Sequence, residues 1–294
     1  MIDRLEMFLA LARCRHFGKA AEEIGVTQPT LSAAIRQLED QLGVMLVLRG
    51  SRFQGLTPEG EKVLIWARRI VGDVRTMKEE TRAARSGLTG HLRLAAIPTA
   101  LTTASRLIHD FCADHPNIRV SLQSEPSTGI LAMLEDLRID AGLTYLENEP
   151  LGRVIAVPLY EEHYTLILRR DHPLAGRAEI GWSELGDVPL GLLTPDMQNR
   201  RIISAHLSEA GVRVDPRVES NSTIVLISQV QSGGIATILP NRAAESFLRD
   251  AELQSIPIRR PDWHHMVGLV APRREPNTPA VSALLQAARR AAEV

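Results

Sequence analysis

Between residues 27 and 36 the sequence TQPTLSAAIR sets short donors and acceptors at the spacing of one helix face. Gln28 carries a carboxamide that can pair bidentately with adenine, Ser32 a hydroxyl that serves several bases or a phosphate, and Pro29 an apolar ring suited to a thymine methyl. Thr27, Thr30 and Arg36 suit phosphate oxygens, which fix register without reading sequence. Downstream, in MLVLRGSRFQGL, Arg49 and Arg52 flank Gly50-Ser51. Arg49 adds a phosphate contact, and Arg52 could enter a narrow minor groove, where negative potential is greatest. Singly, each arginine reads equally well as a solvated charge; jointly, these eight residues describe contact with double-stranded DNA.

A second set could bind a small anion, because the free N–H groups and positive dipole end of a helix start attract one. Its members are Pro98, Thr99, Ala100 and Thr102, then Ser127 and Thr128, then Thr194, Gln198, Asn199 and Arg200. The segment TPDMQNRR at 194–201 is the richest, combining a hydroxyl, amides and guanidinium groups. The plainer reading of Thr99, Thr128 and Thr194 is helix capping. His109, Cys112 and His115 spread over too much of a helix to share a metal, and the adjacent His264 and His265 face opposite sides of a strand. Cys14, though flanked by Arg13 and Arg15, does not face them. With no P-loop or nucleophile elbow present, the expectation is no enzyme, no metal and no cofactor.

Elements that must position these residues follow from periodicity. Leu5, Phe8, Leu9 and Ala12 define a first helix face. A second helix over Lys19 to Ile24 stops at Gly25, and Thr27 caps a third, whose Leu31, Ile35 and Leu38 face inward while Pro29, Ser32, Ala33 and Arg36 face out. Two short strands around Gly50 make a hairpin wing. Thr57-Pro58 opens a long helix running to Gly87, with seven-residue seams at Val63, Ile70, Met77 and Ala84 and at Ala67, Val74, Thr81 and Leu88. Such seams pair with another helix, although packing on the chain's own domain would also use them. From Gly90 strands and helices alternate: HLRLAAI, Leu101 to Ala113, IRVSLQS, Thr128 to Leu137 and IDAGLTYL. A second set follows in YTLILRR, VPLGLL, Arg200 to Ala210, VRVDPRVES, Thr223 to Ser232, IATILP and HHMVGLVA. This predicts two α/β lobes behind an all-α winged helix-turn-helix, with ligand in a cleft. The expected boundaries are 1–58 for the DNA-binding domain, 59–89 for the linker helix and 90–294 for the effector domain. Within the last, lobe I takes 90–160 and 269–294, and lobe II takes 161–268.

Composition is compatible with this plan. The 294 residues are 44% apolar and carry 34 Lys+Arg against 35 Asp+Glu, a net charge of −1, which excludes a wholly disordered chain. The balance is uneven along the chain: 14 basic against 11 acidic residues up to residue 90, and 20 against 24 beyond it. Two cysteines exclude a disulfide framework. The start lacks the charged leader and cleavage site of a signal peptide, and no apolar run approaches a bilayer span, so the expected home is the cytoplasm, away from membranes.

The run FGKAAEEIGVTQPTLSAAIRQLEDQLGVMLVLRGSRFQGLTPEG at 17–60 resembles the LysR-type transcriptional regulators of bacteria. Ala20-Ala21, Gln28-Pro29, Ser32, Ile35, Leu38-Glu39, Leu42-Gly43, Arg49 and Leu56-Thr57-Pro58 follow that family's signature in order. Weaker matches continue in His172-Pro173-Leu174, Ile139 to Leu143 and SGGIATILP at 232–240. The resemblance implies a winged helix-turn-helix, a dimerising linker helix and a two-lobed effector domain like a periplasmic binding protein. It also implies binding to an interrupted inverted repeat as a homo-oligomer, dimer to tetramer, under a small-molecule effector and with RNA polymerase as a partner. Three positions depart from the family: His16 removes a capping hydroxyl, Val47 an aromatic core contact, and Ala33 a long base-reading side chain. The stretches at 92–100, 139–154 and 190–203 resemble a subgroup encoded beside formate dehydrogenase operons, implying formate or a related small carboxylate as effector. The distant alternative is a cytoplasmic solute-binding protein.

Overall fold

Helix ends in the first ninety residues follow from local chemistry. Helix α1 (Ile2–Cys14) buries Leu5, Phe8 and Leu9, the three-and-four spacing of one face. Helices α2 (Phe17–Glu23) and α3 (Gln28–Leu42) are joined through Gly25, whose φ of 70° is a conformation that glycine adopts without a side-chain clash. His16 replaces the expected capping hydroxyl by its own means: its Nδ1 accepts the Lys19 N–H at 3.2 Å. Thr27 caps α3 by accepting the Thr30 N–H at 3.4 Å. Beyond α3 the Leu48 N–H donates to the Gly55 carbonyl and the Thr57 N–H to the Leu46 carbonyl, both at 3.0 Å, with Val47 bridged to Leu56. This is the antiparallel base of the wing. Val47 is buried there despite its smaller side chain.

The buried carboxylate of Glu39, on α3, accepts the N–H groups of Leu46 at 2.7 Å and Val47 at 3.2 Å. Helix α4 (Pro58–Ser86) is capped by Thr57, which accepts the Gly60 N–H at 2.9 Å and donates to the Met45 carbonyl at 2.6 Å. A β-carbon on Gly60 would lie 2.1 Å from the Leu46 carbonyl oxygen, so only glycine permits this approach. Leu64 and Ala67 face the core, whereas Ile65, Trp66, Ile70 and Met77 are exposed.

The computed structural model describes residues 1–48, 53–147, 149–248 and 252–292. It resolves into two units, Met1–Gly87 with Glu135–Arg138 and Pro276–Pro279, and Leu88–Leu134 with Ile139–Glu275 and Ala280–Val294. The second unit holds β1 (Gly90–Ala96), α5 (Leu101–Asp114), β2 (Ile118–Ser124), α6 (Ser127–Glu135), β3 (Ala141–Tyr145) and β4 (Val154–Arg169). There follow β5 (Ile180–Gly181), β6 (Leu190–Leu193), α7 (Gln198–Glu209), β7 (Val218–Ser220), α8 (Thr223–Ser232) and β8 (Ala236–Pro240). The chain ends with α9 (Asn241–Glu245), β9 (Leu253–Arg259), β10 (His264–Pro272) and α10 (Pro279–Ala292).

Strand order is β2-β1-β3-β10-β4-β8-β6-β7, with β9 against β4 and β5. Strand β1 runs parallel to β2 and β3, and β6 parallel to β7 and β8, the pattern that helical crossovers impose. Strand β4 serves both groups, pairing with β10 up to His163 and with β8 and β9 from Tyr164 onward. Leu94, Leu143, Leu166 and Leu269 are fully buried along these strands. Two details differ from the sequence reading. The strand expected at YTLILRR begins at Val154, and of VRVDPRVES only Val218–Ser220 pairs, because Pro216 has no N–H to give. Among the described residues no helix is long and apolar enough to cross a membrane.

Candidate functional site

Helix α3 divides its residues as a groove-entering helix must. Leu31, Ile35 and Leu38 are buried; Gln28, Pro29, Thr30 and Arg36 are exposed beside the half-buried Ser32 and Ala33. Thr27 and Thr30 are exposed too, with their hydroxyl oxygens 2.8 Å apart at the helix start. Gln28 Oε1 lies 3.6 Å from where a β-carbon on Gly18 would sit, so the carboxamide projects close over the first turn of α2. Arg36 forms no ion pair among the described residues, which leaves its guanidinium available to a phosphate. Arg49 and Arg52 lie outside the described residues.

In the second unit, Pro98, Thr99 and Ala100 form a buried 3₁₀ turn leading into α5. Thr99 is 1% exposed and its Oγ1 has no hydrogen-bond partner among the described residues. The same holds for the buried Thr194 Oγ1 and Asn199 Oδ1. An unpaired buried acceptor costs about 1–3 kcal/mol, so sites of this kind favour an arriving donor. Thr102 lines a cavity of about 420 Å³ together with Thr103, Arg106, Arg242, Glu245 and Ser246.

Other candidates are engaged within the protein. Ser127 donates to Glu149 Oε2 at 2.9 Å, and Glu149 is ion-paired with Arg201; Thr128 is exposed. The Gln198 amide donates to the Glu147 carbonyl at 2.9 Å, and the Asn199 amide to the Tyr145 hydroxyl at 3.0 Å. Arg200 donates to the Leu193 carbonyl at 2.8 Å, Glu219 at 2.5 Å and Ser204 at 3.1 Å. The guanidinium groups at 200 and 201 therefore already hold carboxylates of this chain.

The sequence reading missed a buried acid on β4. Glu162 accepts the Tyr145 hydroxyl at 2.5 Å and the Tyr160 hydroxyl at 3.3 Å. Burial is the main reason its pKa rises from 4.5 to about 7, against the lowering effect of both phenols and of Arg242. Burial, then the Glu162 charge, pushes Tyr145 well above 10, so it remains a donor. The Arg242 guanidinium lies over the Tyr160 ring, its Cζ 4.5 Å from the centroid. One polar chain thus runs from Asn199 through Tyr145, Glu162 and Tyr160 to the cavity. The available signal was a carboxylate in phase with Tyr160 and Tyr164 on a strand face that is otherwise apolar.

His265 pairs not with His264 but with His206 of α7, Nε2 to Nε2 at 2.9 Å, and His206 stacks on Trp263 at 4.1 Å. Burial, then His265, lowers the His206 pKa to about 4, so the pair is neutral at pH 7. Among the described residues no three His, Cys, Asp or Glu side chains are grouped to hold a metal.

A groove-sized helix with a polar outer face, joined in one chain to an α/β unit with a polar cavity, defines a ligand-responsive DNA-binding protein. Comparison with known proteins makes this specific. The family described as "Bacterial regulatory helix-turn-helix protein, lysR family" matches residues 2–61, and "LysR substrate binding domain" matches residues 85–293. The chain belongs to the LysR family of DNA-binding transcriptional regulators. It is 31% identical over 274 residues to a hydrogen peroxide-inducible genes activator of Dickeya chrysanthemi, covering 92% of this chain and 88% of that one. It is also 31% identical to the DNA-binding transcriptional dual regulator OxyR of Escherichia coli (strain K12), with the same coverage. A full-length OxyR of Pseudomonas aeruginosa bearing a cysteine-to-aspartate substitution superimposes with a TM-score of 0.76 at 26% identity, over 99% of both chains.

Proposed function

We propose that this regulator reads an interrupted inverted repeat as a homo-oligomer and answers to a small carboxylate-bearing effector. The observation that carries the DNA reading is the split of α3 between a buried Leu31-Ile35-Leu38 face and an exposed polar one. Gln28, Pro29 and Ser32 read bases, Thr27, Thr30, Arg36 and Arg49 hold phosphates, and Arg52 enters a narrow minor groove. The exposed Ile65, Trp66, Ile70 and Met77 on α4 supply an apolar strip for pairing with a second copy, and dimers pair again into a tetramer. Footprinting on the upstream intergenic DNA at fixed salt tests this reading. Two protected half-sites about one helical turn apart support it, and protection without that spacing refutes it.

For the effector, the relatives' names point to peroxide. This chain has cysteine only at 14 and 112, and none between residues 113 and 294, which include α7 and the cavity-lining Arg242 and Glu245. A thiol switch in that region has no sulfur nucleophile. Binding fits better: the unpartnered Thr99 Oγ1, and a cavity lined by Arg106 and Arg242 beside Glu245, favour a polar ligand that carries a carboxylate. The narrower affiliation with regulators beside formate dehydrogenase operons rests on the stretches at 92–100, 139–154 and 190–203 and makes formate the first carboxylate to try. Titration with formate and then hydrogen peroxide, read as a change in footprint, separates the two. A peroxide response that is lost when both cysteines are replaced by serine would overturn the binding reading, whereas a formate response with no peroxide response would support it.

A further inference from the structure

We propose that the cavity between α5 and α9 takes a zwitterion, a molecule with a carboxylate and an ammonium on one carbon, as in a free α-amino acid. This rests on the reading of that cavity as the effector site. Its wall presents Arg106 from α5 and Arg242 and Glu245 from α9, with the hydroxyls of Thr102, Thr103 and Ser246.

Two positive groups and one negative group therefore line one space, and none of the three makes an ion pair among the described residues. Other arginines, Arg68, Arg93, Arg169, Arg177, Arg200 and Arg201 among them, do hold carboxylates of this chain. Arg242 and Glu245 are three residues apart, a spacing at which helix side chains can meet, yet they remain separate. Arg242 lies instead over the Tyr160 ring, its Cζ 4.5 Å from the ring centroid. A guanidinium over a ring can still meet a carboxylate through its N–H groups in two parallel hydrogen bonds.

A simple anion would satisfy the arginines but bring its charge toward Glu245; a simple amine would meet two cations. A dipolar ligand answers both, its carboxylate toward Arg106 and Arg242 and its ammonium toward Glu245. Discrimination then comes from the group that repels the wrong ligand as much as from those that attract the right one. A volume of about 420 Å³ leaves room for a side chain beyond the charged carbon.

The test uses the full-length protein and calorimetric titration with proteinogenic amino acids one at a time, each binder being compared with its 2-oxo acid and its decarboxylated amine. The expected result is an amino acid that binds at least about tenfold more tightly than either analogue. Glu245→Gln should weaken that amino acid about tenfold and bring its affinity close to that of the 2-oxo acid, while Arg242→Ala and the gentler Arg242→Lys weaken both. Both positions are exposed, so the variants should retain the parent's circular dichroism. If 2-oxo acids bind as tightly as amino acids and Arg242→Ala weakens them, the zwitterion proposal falls and the effector site stands. If binding is indifferent to Arg242 and Glu245, or no amino acid or acid binds, the site falls with it.

Discussion

Replacing Glu162 by glutamine should change how stability depends on pH. A carboxyl raised from 4.5 to about 7 holds its proton in the native state where the unfolded chain has lost it. Between those values the native protein binds more protons, so folding free energy falls as pH rises, and above pH 7 the buried charge costs its full amount. The size follows from the shift: about 3 kcal/mol, at about 1.4 kcal/mol for each pH unit. Since domains are typically stable by about 5–15 kcal/mol, this is a large fraction. Glutamine keeps an acceptor for Tyr145 without a charge. Urea unfolding followed by the fluorescence of Trp182 and Trp263, repeated from pH 4 to pH 8 for both proteins, isolates the effect. The variant should gain about 3 kcal/mol on the parent between the two ends of the series. Parallel curves would mean that Glu162 is not buried as a carboxylate and that the chain from Asn199 to the cavity does not exist.

Glu39→Ala should expose the Leu46 and Val47 amides to exchange and destabilise the DNA-binding unit by about 3 kcal/mol, at about 1.5 kcal/mol for each hydrogen bond to a charged acceptor. Hydrogen exchange over residues 44–48 measures it, and unchanged protection would count against the buried acceptor. Gly60→Ala, which puts a methyl 2.1 Å from a carbonyl oxygen, should cost about 2 kcal/mol and lower the thermal midpoint of the same unit. An unshifted midpoint would show that α4 is not so close to Leu46. Ser32→Leu should abolish specific operator binding in a gel shift while leaving the circular dichroism intact; undiminished affinity would take Ser32 out of the interface.

How much could be read in advance depended on whether the cause was local. The caps at Thr27 and Thr57 and the turn at Gly25 are written in neighbouring residues, and the helices follow them. His16 lacks the capping hydroxyl the family usually has there, and its imidazole nitrogen accepts in its place. Strand β4 was legible only in its second half, since Pro158 and the run Glu161-Glu162-His163 interrupt the apolar pattern although the backbone pairs through them. At the candidate effector site the limit was sharper. The guanidinium groups at 200 and 201 looked free in sequence, and their carboxylate partners, Glu219 and Glu149, are distant along the chain. Arg106 lies well over a hundred residues from Arg242 and Glu245 along the chain, and only tertiary structure places the three around one space.

The short segment Met45–Val47 is bonded on all sides. Glu39 grips its amides from α3, Thr57 grips the Met45 and Leu46 carbonyls from the start of α4, and Gly60 lets the α4 backbone rest against Leu46. Mechanically this is a welded joint, with the recognition helix as one arm and the long helix as the other. Such a joint would turn torque along α4 into rotation at Gln28 and Ser32 more readily than into bending at the wing's base. Two such levers crossing one another would act like calipers, whose opening is set at the handles and measured at the tips in base pairs.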